Sequence, residues 1–377
     1  MYIHPTRLPI IIFKDIAYQC ISLNLKERPT LDTVIKKIEE ALAIQISMPS
    51  TIRILVRKLK SVILKDHQRT AAGEIRLLSS VKDDNCITIA EAGAIPLLTN
   101  LLTVPDSQIE EHVLIALRNL SGEIRLLSSV NNDNRITIAE AGAIPLLANL
   151  LTVPDTQIQE HAVTALRNLW FYGENKDIIV SSGSLPGIVH VLKEGSMEAR
   201  ETAAAILSGL SGIEKNRKVI GDAGAIPPLL LILFKGTPKG KEEAAHALRS
   251  LCVYTDNSIR AVRAGVVPIL LDILKEERSE MHNNLMFILW LITFDPEGIL
   301  AIDEAEAVPF VVEVIKNGPS PSDYSAASIL LRLCSADRKY LVEFQEYGLV
   351  RKLKQMTNRG FKYQMIDVEE LLNMLGQ

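Results

Sequence analysis

The 377-residue sequence predicts an all-α solenoid of stacked helical units. The first observation is a stretch that returns down the chain. Glu91-Ala92-Gly93-Ala94-Ile95-Pro96 recurs as Glu140-Ala141-Gly142-Ala143-Ile144-Pro145, Ser182-Gly183-Ser184-Leu185-Pro186, Asp222-Ala223-Gly224-Ala225-Ile226-Pro227 and Arg263-Ala264-Gly265-Val266-Val267-Pro268. Two decayed copies follow at Glu304-Ala305-Glu306-Ala307-Val308-Pro309 and Glu346-Tyr347-Gly348-Leu349-Val350. The second observation is the spacing: Gly142, Gly183, Gly224, Gly265 and Glu306 are each 41 positions apart, and the step to Gly348 is 42. A fixed period of this size marks stacked helical repeats. The third is the chemistry of the joint. Glycine closes one helix in the left-handed conformation without a steric penalty, and proline three residues on suits the first turn of the next. The apolar positions that follow, such as Leu97, Leu98, Leu101 and Leu102, have helical spacing. A further helix follows each run, so each unit should hold one short helix and two longer ones and bury its apolar face only against its neighbours.

Taken in order, residues 1–46 stand outside the period. Ile16-Ala17-Tyr18-Gln19-Cys20 leads to Lys26-Glu27-Arg28-Pro29-Thr30 and an amphipathic pattern through Ile35, Ile38 and Leu42, with Pro29 placed for a helix start. This piece resembles the last two helices of a plant receptor-like kinase domain; a chance pair of amphipathic helices is the other reading. The resemblance implies a structural role for Arg28, pairing with an upstream glutamate that this sequence lacks. The glycine-rich loop, strand lysine, His-Arg-Asp loop and Asp-Phe-Gly metal site are also missing, so kinase activity is not expected. The piece is then either a fusion relic or a mis-joined gene prediction.

Residues 47–51 read as a linker. Ile52, Leu55, Val56, Leu59, Val62 and Ile63 then mark an amphipathic helix. Residues 51–82 carry eight Lys or Arg against two Asp or Glu. A basic amphipathic helix can touch a membrane or a nucleic acid, but the favoured reading is the charged outer face of the first repeat.

Residues 74–122 return almost unchanged as 123–171, a tandem duplication with a shift of 49. The shift exceeds the period by eight residues, about two helical turns. The excess falls near 120–127, so the third helix there should overrun or break at Ser121-Gly122. Regular units run from 170 to 350. Residues 236–241 form a turn-rich joint rather than a phosphate loop, because Lys241 is followed by Glu242 and not Ser or Thr. Residues 361–377 should form a C-terminal capping helix with Val368, Leu371, Leu372 and Leu375 inward, the cap occupying 351–377 as a whole.

Whole repeats, not one short motif, resemble the armadillo region of plant U-box ubiquitin ligases. The matching residues are Asp133-Asn134-Arg135, Glu140-Ala141-Gly142-Ala143-Ile144-Pro145, Gln159-Glu160-His161-Ala162-Val163-Thr164-Ala165-Leu166, Gly195-Ser196-Met197-Glu198-Ala199-Arg200-Glu201 and Ala261-Val262-Arg263-Ala264-Gly265. The resemblance covers 51–350. It implies a right-handed armadillo superhelix of about seven units and a role in ubiquitination. Ubiquitin transfer in that family belongs to a U-box upstream of the repeats, which recruits the loaded E2. Its opening Cys-Pro-Ile pattern is not in this sequence. The expected function is therefore a substrate- or adaptor-binding module. The alternatives are an active ligase whose U-box lies outside these 377 residues, and a decoy that competes with intact relatives.

Composition agrees with a protein-binding role. The formal net charge is −4, which gives no argument for nucleic acid as a partner. The longest apolar run, at 226–234, is far short of the ~20 residues of a membrane span. Residues 1–13 lack a basic region and a cleavage site, so no signal peptide is read and the expected location is cytoplasmic, nuclear or both. Cys20, Cys86, Cys252 and Cys334 form no Cys-x-x-Cys pair. Cys252 and Cys334, two periods apart, are expected to be buried small hydrophobes rather than a disulfide. His112 and His161 are copies of one position, each preceded by glutamate, but without the second histidine of a metalloprotease helix. No catalytic residue, metal ligand or cofactor-binding residue is expected.

The resemblance also implies a concave groove lined by third helices, where an asparagine ladder holds an extended partner. Asn119 and Asn168 occupy that position; adding 41 gives Gly209, Ser250, Leu291 and Arg332. With two rungs left, an importin-like clamp is not expected. Arg118, Arg167 and Arg249 precede ladder positions, and Trp170 and Trp290 lie on or just after the same helices. Since Arg and Trp are common interface anchors, the groove candidates are Arg118, Asn119, Arg167, Asn168, Trp170, Arg249, Ser250 and Trp290. Solvated charge and core packing are the plain alternatives. Receptor-like kinases are one candidate class of partner.

Overall fold

The computed structural model describes residues 48–61, 65–81, 83–122, 128–276, 281–317, 322–357 and 362–376. The kinase-like reading of 1–46, Cys20, Val62 and Ile63 fall outside them. Among the described residues every regular element is an α-helix. A leading pair, α1 (Met48–Leu59) and α2 (Lys65–Ser79), precedes seven triplets. These are α3 (Asp83–Glu91), α4 (Ala94–Leu101), α5 (Ser107–Ser121); α6 (Ser128–Glu140), α7 (Ala143–Leu150), α8 (Thr156–Trp170); and α9 (Asn175–Ser181), α10 (Ser184–Glu194), α11 (Met197–Ser211). Next come α12 (Glu214–Asp222), α13 (Ile226–Lys235), α14 (Pro238–Leu251); and α15 (Thr255–Arg263), α16 (Val266–Glu276), α17 (Met281–Ile292). Last are α18 (Pro296–Glu304), α19 (Val308–Asn317), α20 (Ser322–Ala336); and α21 (Lys339–Glu346), α22 (Val350–Met356), α23 (Lys362–Met374).

The chain divides into two compact halves, the first ending at Ser184 and the second beginning at Leu185. Within the first, α2 packs on α5 and α5 on α8. Within the second, third helices pack in the same succession, α11 on α14, α14 on α17, α17 on α20 and α20 on α23. Alanine makes this stacking close. Ala162 and Ala165, Ala203 and Ala204, Ala244 and Ala245, and Ala326 and Ala327 are all buried, and interaxial distance follows the size of the contacting side chains. Leucine and isoleucine from the second helices, such as Leu147 and Leu229, fill the layer behind them.

The joint behaves as its chemistry dictates. Gly93, Gly142, Gly183, Gly224, Gly265 and Gly348 all have positive φ, between 65° and 80°. Glu306, where the pattern has lost its glycine, still takes a φ of 48°. The repeat geometry therefore forces the left-handed turn even on a residue that resists it.

Two expectations need correction, and a third is decided between its alternatives. The triplets hold one long helix and two short ones: the third helix is the longest, and the second is as short as eight residues in α4 and α7. Met48–Thr51, read as linker, is the first turn of α1. Pro49 there occupies a position whose missing N–H has no intrahelical partner to lose. Of the two outcomes expected of the duplication's extra residues, overrun of the third helix or a break at Ser121-Gly122, the structure has the break. α5 stops at Ser121, with Gly122 turning extended (φ −65°, ψ 174°), and the excess lengthens α6 to 13 residues against seven in α9. In α23, Val368, Leu371, Leu372 and Leu375 are buried, and the helix holds the third-helix place of the seventh triplet against α20.

A second, unforeseen periodic device ties each first helix to the third helix before it. Asn85, Asn134, Asn175, Asn216 and Asn257 are all buried. Each side-chain amide donates to the carbonyl of Leu78 (3.0 Å), Leu120 (3.1 Å), Leu169 (3.0 Å), Leu210 (3.2 Å) or Leu251 (3.1 Å), respectively. The last carbonyls of a helix lack their regular intrahelical donor; the Leu78, Leu169, Leu210 and Leu251 carbonyls each take the N–H three residues on (3.3, 3.2, 3.2 and 3.0 Å), and the asparagine adds a second donor from the next helix. The following residue often serves the next carbonyl: Arg135 Nε to Ser121 O (3.1 Å), Arg217 Nε to Ser211 O (3.2 Å) and Ser258 Oγ to Cys252 O (3.2 Å). One period after Asn257 stands Gly298, where a Cβ would lie 1.9 Å from the Ile292 oxygen. There the backbone closes in, and the Ile292 carbonyl keeps only the Asp295 N–H (3.3 Å), the bond that the equivalent carbonyls also have.

Candidate functional site

The groove candidates sit on the third helices, whose starts are set by capping side chains. Asp106 Oδ1 accepts from the Ile109 N–H (3.0 Å) at α5, and Asp155 Oδ1 accepts from the N–H groups of Gln157 (2.9 Å) and Ile158 (3.2 Å) at α8. Asp106 also pairs with Arg69 of α2 (2.5 Å). The hydrogen bond from that guanidinium holds the Asp106 carboxyl below the usual range. Thr237 Oγ1 accepts from the Gly240 N–H (3.2 Å) and opens α14.

In the first half, the five candidates make separate contacts: Asn119 with α2, Asn168 with Arg118, and Arg167 and Trp170 with Phe171. Asn119 Nδ2 donates to Ser79 Oγ of α2 (3.1 Å), and Asn168 Nδ2 donates to the Arg118 carbonyl of α5 (3.1 Å). Both asparagines thus bond between neighbouring third helices. Arg118 Nη1 lies 3.0 Å from His161 Nδ1. A guanidinium can only donate, so Nδ1 accepts and the imidazole is neutral. Burial first, and then the Arg118 charge, push the His161 pKa down. Arg167 stands over the ring of Phe171, 5.3 Å from its centroid, and Arg135 stands on the same ring at 5.5 Å. Trp170 meets Phe171 edge to face at 5.2 Å, and the Lys176 ammonium is 4.4 Å from the Trp170 ring. The buried Trp170 indole N–H meets no acceptor.

In the second half, Arg249 and Trp290 share a cavity of about 430 Å³. Phe287, Asn284, Ser325, Ser328 and Asp367 complete much of its wall. That volume lies within the range of small-ligand pockets. The Arg249 guanidinium is 4.8 Å from the Phe287 ring. Phe287, Trp290 and Phe294 follow in steps of 5.0 Å, and Arg332 closes the row 4.1 Å from Phe294. Ser250 is half-buried on α14 and does not line the cavity. Ser328 donates to an Asp367 carboxylate oxygen (2.5 Å), and Ser322 donates to Asn283 Oδ1 (2.5 Å).

Sequence reasoning missed Phe171, Phe287, Phe294 and Arg332 as partners of the chosen residues. A signal existed for two of them. Phe171 and Phe294 are three periods apart and occupy one register position, exposed by 44% and 49%. Among the described residues no group of three His, Cys, Asp or Glu is arranged to hold a metal, and no helix is long and apolar enough to cross a membrane. Cys86, Cys252 and Cys334 are buried, and Cys86 donates to the Ser79 carbonyl (3.3 Å). Burial pushes the Cys252 and Cys334 thiols up to about 12, so neither offers a thiolate near neutrality.

Helix triplets at a period of 41, a left-handed joint and stacked third helices define an armadillo-repeat solenoid, a class whose repeats build extended binding surfaces. The chain belongs to the plant U-box protein ARM repeat family, whose repeat region matches residues 51–365. Similar proteins include U-box domain-containing protein 13 of Arabidopsis thaliana, 62% identical over 55 residues, which is 15% of this chain and 8% of that protein. U-box domain-containing protein 1 of Medicago truncatula is 39% identical over 132 residues, 31% of this chain and 19% of that protein. E3 ubiquitin-protein ligase SPL11 of Oryza sativa subsp. japonica is 53% identical over 55 residues, again 15% and 8%. The chain thus matches under a fifth of the length of each of these relatives. An engineered protein of known structure aligns over 100% of both chains with a TM-score of 0.61 at 21% identity. Computationally designed armadillo repeat proteins for modular peptide recognition align over 64% of this chain and 99% of theirs, with a TM-score of 0.56 and 21% identity. These two show the fold alone.

Proposed function

We propose that the chain recognises a protein substrate or adaptor in the ubiquitination pathway, using the third-helix faces that carry Arg118, Asn119, Arg167, Asn168, Trp170, Arg249, Ser250 and Trp290. The observation that carries this reading is the cavity at Arg249 and Trp290, an aromatic and polar recess on the stacked third helices. Family membership supports it, because the relatives' names join these repeats to U-box proteins and to a ubiquitin ligase. In this reading 51–350 is the repeat array, 351–377 caps it, 1–46 is a kinase-like appendage, and the protein works in the cytoplasm or nucleus. Receptor-like kinases are one class of partner to test. Ligase activity through a U-box outside these residues is the second reading, favoured by the name of the rice relative.

The test is proximity capture of partners by the full chain in plant cells, repeated with Trp290→Ala, Arg249→Ala and, on the exposed side of α13, Leu231→Ser. The expected result is a partner set lost in the first two variants and kept in the third. Equal capture by all three would sink the groove reading. Discharge of a ubiquitin-loaded E2 by the full-length product of the transcript, isolated from plant cells, decides the second reading: unchanged discharge leaves a binding module, and accelerated discharge makes it a ligase.

A further inference from the structure

The second half carries a row of stacked groups that runs across three successive third helices. It goes from Arg249 on α14, through Phe287 and Trp290 on α17 and Phe294 just after it, to Arg332 on α20. α17 itself contains no Asp, Glu, Lys or Arg. Arg249 and Arg332 are exposed, and neither has a carboxylate partner among the described residues. Asp295, next in sequence to Phe294, is occupied with the Glu297 N–H (2.9 Å) at the start of α18. The row therefore presents two uncompensated guanidiniums at its ends and an aromatic surface between them, with Phe294 exposed by 49%.

A guanidinium lying on a ring is ordered by that contact while its in-plane N–H groups stay free. Those groups form the fork that suits a carboxylate. Little side-chain freedom is left to lose when such a group arrives, which makes the pair a prepared anion receptor rather than two solvated charges. The cavity beneath the row is polarised. Arg249 stands at one side, and the Asp367 carboxylate, held by Ser328, stands on α23. An anionic chain would be repelled from the Asp367 side and drawn along the line of the two arginines.

We propose that this row is a docking site for an extended acidic peptide segment, with carboxylates meeting Arg249 and Arg332 and an apolar side chain seated against Phe287, Trp290 and Phe294. The arginines are two helix layers apart, roughly 20 Å at ~10 Å per layer. An extended chain rises ~3.3 Å per residue, so the two carboxylates should lie about six residues apart. This rests on the recognition role argued above and names the chemistry of the segment recognised.

The probe is a fluorescein-labelled peptide with two glutamates six residues apart and a leucine midway. It is compared with the same peptide carrying two glutamines or two lysines, by fluorescence anisotropy on the full chain. The glutamate peptide should bind at least about tenfold more tightly than the glutamine peptide, and the lysine peptide most weakly. Arg249→Ala and Arg332→Ala should each weaken it about tenfold, and Arg249→Lys should recover only part, since an ammonium lacks the fork. Lys275→Ala, exposed near the end of α16 and outside the row, should change nothing. Both varied arginines are exposed, and unchanged thermal melting by circular dichroism will confirm that the variants fold. Equal binding of the three peptides, or of parent and arginine variants, overturns the proposal. If partner capture depends on Trp290 while the peptides show no charge preference, the acidic segment is refuted and the recognition role stands. If capture ignores Trp290, the recognition role fails and this inference falls with it.

Discussion

Replacing Glu306 by glycine should stabilise the protein, although it removes a side chain and adds a flexible residue. Glu306 closes α18 at a φ of 48°, the value that glycine supplies in the equivalent joints. A non-glycine residue pays about 1–2 kcal/mol in this region, because its Cβ crowds the following carbonyl. Glycine gives back about 0.5–1 kcal/mol through the greater freedom of the unfolded chain. The Glu306 side chain is exposed, and only its backbone bonds locally, through its N–H to Asp303 O (2.9 Å). Nothing else is lost, and the net gain is about 1 kcal/mol. Gly265→Ala is the mirror experiment: no atom lies within 4 Å of the added Cβ, so its cost of about 1 kcal/mol is conformational alone. Repeat arrays can unfold repeat by repeat, so native-state hydrogen exchange of α18 and α19 is the local readout. Exchange through local opening should slow about fivefold in Glu306→Gly. Faster exchange in that variant, or no change in Gly265→Ala at α15 and α16, would refute the account of the joint.

Other outcomes follow from the same contacts. Asn257→Ala should cost about 1–2 kcal/mol in urea unfolding, because it removes two amide hydrogen bonds, one to the Arg217 carbonyl (2.9 Å) and one to the Leu251 carbonyl (3.1 Å), which keeps the Tyr254 N–H (3.0 Å); a cost under about 0.5 kcal/mol would remove the asparagines from the stabilising set. Gly221→Ala should also destabilise, since its Cβ would lie 1.8 Å from Asn257 Oδ1. Combined with Asn257→Ala it should cost less than the sum of the two, and strict additivity would contradict the contact. The depressed His161 pKa means that the unfolded chain binds protons more readily than the folded one. Stability from this group is present above its ordinary value near 6.5 and is lost as pH falls through that value towards the lower folded one. The facing groups are Arg118, Glu160, Glu111 and Asp155. The melting temperature should therefore drop on acidification, and drop less in His161→Gln, which keeps an acceptor for Arg118; an identical drop assigns the effect elsewhere, to His112 first, whose pKa burial also lowers.

The fold was legible because an armadillo joint is written in two residues whose backbone preferences are extreme. Glycine and proline carry their meaning without knowledge of neighbours, so the period and the helix order followed from counting. The length of each helix did not. α4 and α7 are short because the chain turns again at Leu102 and Leu151, a stop that Pro105 and Pro154, three residues on, announce and that the apolar run alone does not. The duplication's surplus was visible, but its destination was not. Gly122 ends α5 by turning extended, and the surplus then joins α6, a choice made by packing rather than by propensity.

Two asparagine series share the period, and they divide the work of the fold from that of the surface. The series at Asn85, Asn134, Asn175, Asn216 and Asn257 is buried, and four of its five members keep the 41-residue spacing. Losing one would remove the buried amide bond that ties a first helix to the end of the third helix before it. The series at Asn119 and Asn168 is half-buried and decays to Gly209, Ser250, Leu291 and Arg332. Loss there costs the fold little, so those positions are open to whatever a partner requires. At the last of them Arg332 has taken a place on Phe294 (4.1 Å) instead of offering an amide. A periodic reading therefore recovers what every repeat must do alike, and the proposed docking row includes a position, Arg332, where the period breaks. Arg332, scored in sequence as a missing rung, is for that reason the residue whose replacement should most sharply separate recognition from stability: Arg332→Ala should leave the melting curve unchanged while weakening the acidic peptide about tenfold.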